Sequence, residues 1–200
     1  MRMKTYTILV LAVGLTGLPL GLVPAALAQG QAIAPLAAPP VPLPPQPHPP
    51  GDIPDTQVFI EYHSPLGFSV KVPEGWARLL NADGVTFTST YDGLAVQLTK
   101  SAMPPSVDTV KQNQAVLLEK SPAAVRITSV AAVDLPAGRA VLISFSSNSE
   151  ANAVTGKAIR LENAQYLFWK DGRLAALTLS APLGADNVDQ WQLMAQSFRW

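Results

Sequence analysis

The sequence predicts an α+β fold, with one mostly antiparallel sheet of about six or seven strands flanked by helices. Two observations support this prediction. Short runs of β-branched and apolar residues follow one another with tight-turn signals between them, and strands joined by tight turns pair antiparallel. Two longer windows have the apolar spacing of amphipathic helices, which need a sheet face to cover.

The first predicted strand lies in the segment GFSVKVPEGW, residues 67–76. Phe68, Val70 and Val72 alternate with Ser and Lys, which is the period of a strand with one buried face. A Pro-Glu-Gly break ends the strand, and Trp76 follows it. We interpret Trp76 as a core residue at the point where the strand leaves the sheet. The alternative is an exposed aromatic platform for a sugar or a peptide.

Two more strands and a helix complete the first half of the domain. The runs GVTFTST and LAVQLTKS flank the tripeptide Tyr-Asp-Gly, whose Asp-Gly pair at 92–93 is a strong hairpin signal. A helix is predicted over 106–120, because Ser106 can cap its first turn and the Ser-Pro pair at 121–122 ends it.

Four strands and a second helix make up the second half. The turn Pro-Ala-Gly joins the first two predicted strands, AVRITSVAAVDL and RAVLISFSS. KAIRLENAQYLFWK and RLAALTLSA flank the Asp-Gly pair at 171–172, a second two-residue hairpin signal. The last window, ADNVDQWQLMAQSF, spaces its apolar residues for one face of a helix, and Asp186 and Asp189 favour its N-terminus.

Residues 1–28 are typical of a secretory signal peptide, with a basic start, a long apolar stretch and the cleavage motif Ala-Leu-Ala at 26–28. An uncleaved membrane anchor is the alternative. Cleavage would make Gln29 the first residue and remove Arg2 and Lys4, which leaves 12 basic and 14 acidic residues. The sequence therefore predicts an extracytoplasmic location, periplasmic or secreted, with no membrane span after cleavage.

Residues 29–54 form a Pro-rich segment that contains ten prolines. Proline fixes φ and removes the N–H donor, so extended polyproline II is expected in place of helix or sheet. The segment has no periodic apolar face, which predicts a disordered linker that is independent of the domain. A Pro-rich ligand for an aromatic groove is the alternative. The folded domain is therefore predicted to span 55–200.

The composition excludes several kinds of chemistry. Cysteine is absent, so the chain has no disulfide, thiol nucleophile or Cys-ligated zinc. Basic and acidic residues balance at 14 each, without the clusters of Lys or Arg that binding to nucleic acid or an anionic membrane requires. No phosphate-binding or dinucleotide-binding motif stands out. We therefore predict no cofactor, no metal and no nucleic-acid partner.

Candidates for catalysis are few. His63 is the single histidine of the predicted domain, and His48, alone among prolines, is interpreted as solvated. A Ser/His/Asp triad that joins His63 to a carboxylate such as Asp134 stays open, because triads assemble in space. The central serines, none of which has a base near it in sequence, are Ser144, Ser146, Ser147 and Ser149. Asp186 and Asp189 are explained as residues of a helix start, so we predict no catalytic residue.

The other tryptophans and one polar loop are candidates for structural roles. Trp169 and Trp191 are interpreted as core or near-core residues, and Trp200, the last residue of the sequence, as either packed or free. The most polar loop, SSNSEANAVTG at 146–156, is interpreted as a solvated connection between strands. The alternative is that this loop forms the rim of a contact surface.

The early GFSVKVPEGW, the central helix, and the closing DGRLAALTLSAP and WQLMAQSF segments resemble the PsbP-like superfamily over roughly residues 60–200. The resemblance implies an αβα sandwich around an antiparallel sheet. The superfamily includes the extrinsic photosystem II protein PsbP, many secreted bacterial proteins of unknown role and a eukaryotic Ran-binding import factor. Its motifs are structural, so the resemblance implies no site residues. The secretory segment argues against a role with Ran.

Three classes of function are compatible with the sequence. The favoured class is a non-enzymatic extracytoplasmic binding or accessory protein that acts on a protein partner, because a stiff spacer helps a module to reach such a partner. The first alternative is a carrier of a small molecule or lipid, with the ligand in a cleft between helix and sheet. A secreted hydrolase is the second alternative.

Overall fold

The computed structural model describes residues 39–152 and 154–200, so the predicted signal peptide (1–28) and the segment 29–38 lie outside the described residues. The strands are β1 (Phe59–His63), β2 (Ser69–Pro73), β3 (Ala77–Asn81), β4 (Gly84–Thr88), β5 (Gly93–Lys100), β6 (Arg126–Leu135), β7 (Gly138–Asn148), β8 (Arg160–Lys170) and β9 (Arg173–Pro182). The order β3-β4-β5-β9-β8-β7-β6 forms a seven-stranded sheet in which all neighbours are antiparallel. The predicted antiparallel sheet is therefore confirmed. β1 and β2 form a separate two-stranded sheet.

The helical segments are α1 (Val107–Thr109), a π-helical segment (Val110–Gln114), α2 (Ala115–Glu119) and α3 (Val188–Ser197). The first three are continuous and fill the predicted window. The predicted cap is confirmed, because the Ser106 hydroxyl accepts a hydrogen bond from the Thr109 N–H at 3.2 Å. None of the helices in the described ranges is long and apolar enough to cross a membrane.

The large sheet carries a different apolar cluster on each face, because alternate residues of a strand point to opposite sides. The main cluster lies under α3 and the β1–β2 hairpin, and its fully buried side chains include Leu94, Val96, Leu177 and Leu179 of the two central strands. The second cluster lies under the helical segment 107–119. There Val110 packs with residues of β7 and β8 such as Ile143 and Leu167.

The helix-flanked sandwich is only partly confirmed. The helical segment 107–119 packs against β6, β7 and β8, and so covers one part of its face. On the rest of that face, β4, β5 and β9 carry short or polar side chains such as Thr86, Gln97 and Thr178, which are partly or fully exposed. Side chains of this kind do not need an apolar cover, so the second helical layer is incomplete.

Both predicted hairpins are confirmed, and one of them has its Asp-Gly pair at the two central positions of the turn. β8 and β9 pair Lys170 with Arg173, and the two residues between them, Asp171 and Gly172, have φ values of 49° and 75°. Positive φ at both central positions is what a type I′ hairpin turn requires. The hairpin predicted at 92–93 is also present, since β4 and β5 pair antiparallel, but the pair of Thr88 with Gly93 closes a four-residue loop, so Asp92 and Gly93 are not its two central residues. The last residue of this loop, Asp92, is buried and accepts a hydrogen bond from Asn187, the residue before α3.

The position of the first predicted strand is also corrected. GFSVKV contains β2, which pairs with β1 and lies outside the large sheet. The outermost strand of the large sheet is β3, which immediately follows Trp76. Neither β1 nor β3 was predicted, because β3 is exposed along its whole length and β1 has no fully buried residue, so neither shows the alternation of a half-buried strand.

The Pro-rich segment contacts the domain at two points, and we call its residues 41–54 the strap. The first anchor is Asn148, at the end of β7. Its side-chain oxygen accepts from the Leu43 N–H at 3.0 Å, and its amide nitrogen donates to the Val41 carbonyl at 2.9 Å. The buried Arg160 guanidinium orients this anchor by donating to Asn148 Oδ1 at 2.9 Å and to Ser146 Oγ at 2.6 Å.

The second anchor is Asn187, the residue before α3. Its side-chain oxygen accepts from the Ile53 N–H at 2.7 Å, and its amide nitrogen donates to the Gly51 carbonyl at 2.8 Å. The Ile53 side chain is 5% exposed and belongs to the main apolar cluster. Next to it, the Asp186 N–H donates to Asp52 Oδ1 at 2.9 Å.

These contacts correct the predicted domain boundary. A linker independent of the domain up to residue 54 is wrong for the strap, which buries an isoleucine and exchanges hydrogen bonds with both anchors. The sequence contained no periodic apolar face here because a single buried side chain, Ile53, and main-chain hydrogen bonds hold the segment.

We expect Ile53→Ala to lower the free energy of unfolding by about 2–4 kcal/mol, since it removes a buried aliphatic side chain from the main cluster. The matched control is Ile60→Ala in β1, whose side chain is 47% exposed and which should cost less than about 1 kcal/mol. Urea unfolding of the chain from Gln29 onward measures both. Equal effects of the two variants would show that the strap does not contribute to the core.

Candidate functional site

The residues considered for a catalytic triad do not come together. His63 is exposed on β1, and its Nε2 lies 3.8 Å from Glu61 Oε2. In the described ranges this is the one pair of a histidine and a carboxylate within 4 Å, so Asp134, on β6, is not its partner. Ser146 accepts from Arg160 and Ser147 from Asn163, which gives both hydroxyls structural roles.

The remaining predicted candidates have separate positions. His48 is exposed in the strap. Asp189 lies in the first turn of α3, as predicted, while Asp186 precedes it. The predicted loop 146–156 begins later than expected, because residues 146–148 belong to β7. Its described residues from 150 onward are exposed, and Asn152 Oδ1 accepts from the Thr155 N–H in a local turn. The described residues contain no group of three or more His, Cys, Asp or Glu that could hold a metal ion.

All four tryptophans are partly buried. Trp76 packs against the main cluster but also lines a surface cavity, so the core and platform interpretations each describe one side of it. Trp169 donates from Nε1 to the Ser101 carbonyl at 2.9 Å. Trp191 and Trp200 pack against the main cluster, and the Arg173 guanidinium lies 5.3 Å from the centre of the Trp200 ring.

Strand β3 is an apolar edge of the large sheet. All five of its residues are exposed, and Leu79 and Leu80 keep 65% and 57% of their accessible surface. Consecutive residues of a strand point to opposite faces, so one leucine is presented on each side of the sheet. In the part of the chain that the structure describes, no strand pairs with the outer side of β3. Alternate N–H and C=O groups of an edge strand therefore face outward.

The two edges of the sheet differ in protection. Natural edge strands are blunted by bulges and charges, which prevent pairing with other chains. β6, the opposite edge, has a bulge between Ile127 and Ser129 and carries Arg126 and Asp134. β3 has neither a bulge nor a proline, and the guanidinium of its one charged residue, Arg78, lies 5.7 Å from the centre of the Tyr62 ring. β3 is therefore the less protected edge.

A cavity of about 300 Å³ lies at the end of the strap. It is lined by Trp76, by residues 51–54 and Gln57, and by the loop 89–92 between β4 and β5. Its carboxyl groups belong to Asp52 and Asp92. This cavity joins three segments that are distant in sequence.

Asp92 is the most perturbed group of this cavity. Its side chain accepts from Ser89 Oγ at 2.9 Å and from Asn187 Nδ2 at 3.3 Å, and the residue is 8% exposed. Burial raises the pKa of Asp92 to about 6, although both hydrogen bonds act in the opposite direction, and the nearby Asp52 carboxylate raises it further. The loop and the N-terminus of α3 are thus joined through a carboxyl group that is poorly solvated.

Two other cavities are defined by different side chains. One of about 440 Å³ lies between the start of the helical segment and the sheet, and it is lined mainly by apolar residues, including Val107, Val141 and Trp169, with Arg139 as its charged group. The other, of about 550 Å³, is lined by side chains of α3 and of the β1–β2 hairpin. It contains two acidic and two basic side chains, so it has no net preference for either sign of charge.

The chain has a PsbP-like fold. The solution structure of a cyanobacterial PsbP (CyanoP) from Synechocystis matches it at a TM-score of 0.52 and 14% identity, covering 74% of this chain and 97% of that one. LpqN of Mycobacterium tuberculosis, described as involved in cell envelope biogenesis, is similar at a TM-score of 0.45 and 15% identity over 72% of this chain and 90% of its own. No model of a protein family and no curated protein matches the chain. At these identities the first likeness shows the fold alone.

The perturbed carboxyl group predicts a specific pH dependence of stability. Because the pKa of Asp92 is raised in the folded state, from 3.8 to about 6, the folded state binds the proton more tightly than the unfolded state. Asp92 therefore lowers stability as the pH rises between these two values, by at most about 3 kcal/mol. We expect the free energy of unfolding of Asp92→Asn, relative to the wild type, to increase from pH 4 to pH 6.5.

Urea unfolding at a series of pH values measures this difference, and Glu150→Gln, on the exposed loop, is the matched control. The control should run parallel to the wild type. A curve for Asp92→Asn that also runs parallel to the wild type would show that the carboxyl group is solvated.

Proposed function

We propose that the protein is a non-enzymatic accessory protein that acts outside the cytoplasm and binds an extended segment of a protein partner along the free edge of β3. The observation that carries this proposal is the unprotected apolar edge, with one exposed leucine on each face. Addition of a strand to an exposed edge is a common mode of peptide recognition, in which main-chain hydrogen bonds supply affinity and alternate side chains supply specificity.

The chemistry of β3 defines the kind of segment that fits. A partner strand would cover Leu79 on one face of the sheet and Leu80 on the other, which contributes about 2–4 kcal/mol from apolar burial. Outward main-chain groups supply the remaining interactions. We therefore expect an extended segment without proline, with apolar residues on both of its faces.

Two further features support the accessory role and the location. His63 is exposed with Glu61 as its near neighbour, so the described residues offer no assembled Ser/His/Asp triad. The extracytoplasmic location rests on residues 1–28, whose composition is that of a secretory signal peptide.

Leu80→Lys tests the proposal, because a charge on the edge disfavours strand addition. The matched control is Ala131→Lys, an exposed position on the opposite edge strand β6. The chain from Gln29 onward is used as bait in an envelope extract, and a protein captured by the wild type is then purified and titrated. We expect Leu80→Lys to weaken its binding at least about tenfold, or 1.4 kcal/mol, and Ala131→Lys to leave it unchanged.

Hydrogen exchange of the purified complex locates the contact. Slower exchange of the β3 amides in the complex would support strand addition. Unchanged exchange in β3, or equal binding by Leu80→Lys, would contradict the proposal. Size-exclusion chromatography with light scattering tests whether a second copy of the chain binds the edge instead. A wild-type dimer that Leu80→Lys converts to a monomer would show that it does.

The second candidate function is a carrier of a small apolar molecule, and the cavity between the helical segment and the sheet favours it. Trp169, Val107 and Val141 give this cavity an apolar lining, and Arg139 could pair with a carboxylate headgroup. Native mass spectrometry of gently purified protein, with added dodecanoate, tests it. We expect a one-to-one complex that Ala132→Trp abolishes by filling the cavity. Absence of any complex with the wild type would contradict the carrier function.

A further inference from the structure

The charged side chains that line the cavity beside the strap are all acidic. Asp52 and Asp92 line it together with the aromatic side chains of Trp76 and Tyr91. Its other lining residues are Gly51, Ile53, Pro54, Gln57, Ser89 and Thr90, so no Lys, Arg or His contributes to it. The lining is therefore anionic and aromatic.

The Asp92 carboxylate lacks a cationic partner. More than nine-tenths of the residue is buried, and its hydrogen-bond donors, Ser89 and Asn187, are neutral. Within the described residues no Lys, Arg or His nitrogen lies within 4 Å of it. A buried carboxylate without an opposite charge is costly, and a cation brought into the cavity would lower that cost.

The aromatic residues favour the same kind of ligand. Trp76 is partly buried against the main cluster, and Tyr91 is 45% exposed. Aromatic rings attract cations through the negative charge of their faces, and tryptophan does so most strongly. A volume of about 300 Å³ is at the lower limit of small-molecule pockets and suits the end of one basic side chain or a small amine.

We propose that this cavity binds a single ammonium or guanidinium group, with Asp92 and Asp52 as the charge partners and Trp76 and Tyr91 as the aromatic walls. The group belongs either to a small amine or to a lysine or arginine of the partner protein. Trp76 immediately precedes β3, and Ala77 of β3 pairs with Thr88, which leads into the loop 89–92. A strand added to β3 would therefore end beside the cavity. That the cationic group belongs to a partner protein rests on the proposed function, whereas the cation site itself does not.

Titration with n-butylammonium tests the site directly, using the chain from Gln29 onward at neutral pH. We expect saturable changes in the NMR signal of the Trp76 indole N–H, with a dissociation constant of about 1–10 mM. 1-Butanol is the neutral control ligand and should cause no saturable change. No response to n-butylammonium, or an equal response to 1-butanol, would overturn the proposal.

Three variants assign the binding groups. Asp92→Asn should weaken n-butylammonium binding about tenfold or more. Tyr91→Ala should also weaken it, and this exposed position keeps the test available if Asp92→Asn does not fold. Asp83→Asn, in the exposed turn between β3 and β4, is the matched control and should bind as the wild type does. Unchanged binding by Asp92→Asn and Tyr91→Ala would overturn the assignment.

A pair of peptides separates the two sources of the cationic group. Each contains an extended apolar segment, and one ends in lysine where the other ends in norleucine. If the lysine peptide binds more tightly than the norleucine peptide, and Leu80→Lys removes this difference, the cationic group belongs to a protein partner. If the lysine peptide binds no more tightly than n-butylammonium, the ligand is a small amine. Leu80→Lys should leave n-butylammonium binding unchanged, so failure of strand addition and failure of the cation site give different results.

Discussion

The structure depends on covering one apolar face of the seven-stranded sheet. The central strands β5 and β9 present leucine and valine side chains that are completely buried, and they lie in the middle of the sheet order. Their cover comes from both ends of the described chain: Ile53 of the strap, the β1–β2 hairpin and α3. Phe198 joins these parts, since its ring centre lies 5.8 Å from that of Phe68 and 4.8 Å from that of Phe168. The fold is therefore closed by residues that are distant in sequence.

Closing the cover in this way places polar groups where water is scarce. Asn187 has to satisfy the main chain of the strap and also donates to Asp92, so one carboxamide links the strap, the β4–β5 loop and α3. Buried polar groups are tolerated when each has a partner. In this network each group has a hydrogen-bond partner, but among the described residues the Asp92 carboxylate has no group of opposite charge beside it. The unbalanced charge of Asp92 is thus a consequence of how the cover is fastened. It also makes the adjacent cavity selective for cations.

The parts of the fold that sequence reasoning predicted are those in which local and tertiary preferences agree. The cap at Ser106 and the hairpin at Asp171-Gly172 need only a few neighbouring residues, and the central strands have a clear apolar period. β3 was missed because an exposed edge strand has no buried face to produce that period. Ile53 was missed because its hydrogen-bond partner, Asn187, lies 134 residues further along the chain. The Asp-Gly pair at 92–93 was misplaced within its hairpin, because Asp92 lies at the end of the loop in a tertiary contact with Asn187.

The candidate site was even less predictable from the sequence, because its residues do not form a recognisable motif. Trp76 was singled out, but its interpretation as core or platform assumed that a side chain does one or the other. The ring does both because the core ends at this position: beyond Trp76 the chain enters β3, whose leucines have no cover. The exposed edge and the cavity thus have the same geometric cause: the segments that cover the main apolar cluster do not extend over β3. A partner strand that continued the sheet would also extend the cover, which is the physical reason to consider the edge and the cavity as one surface.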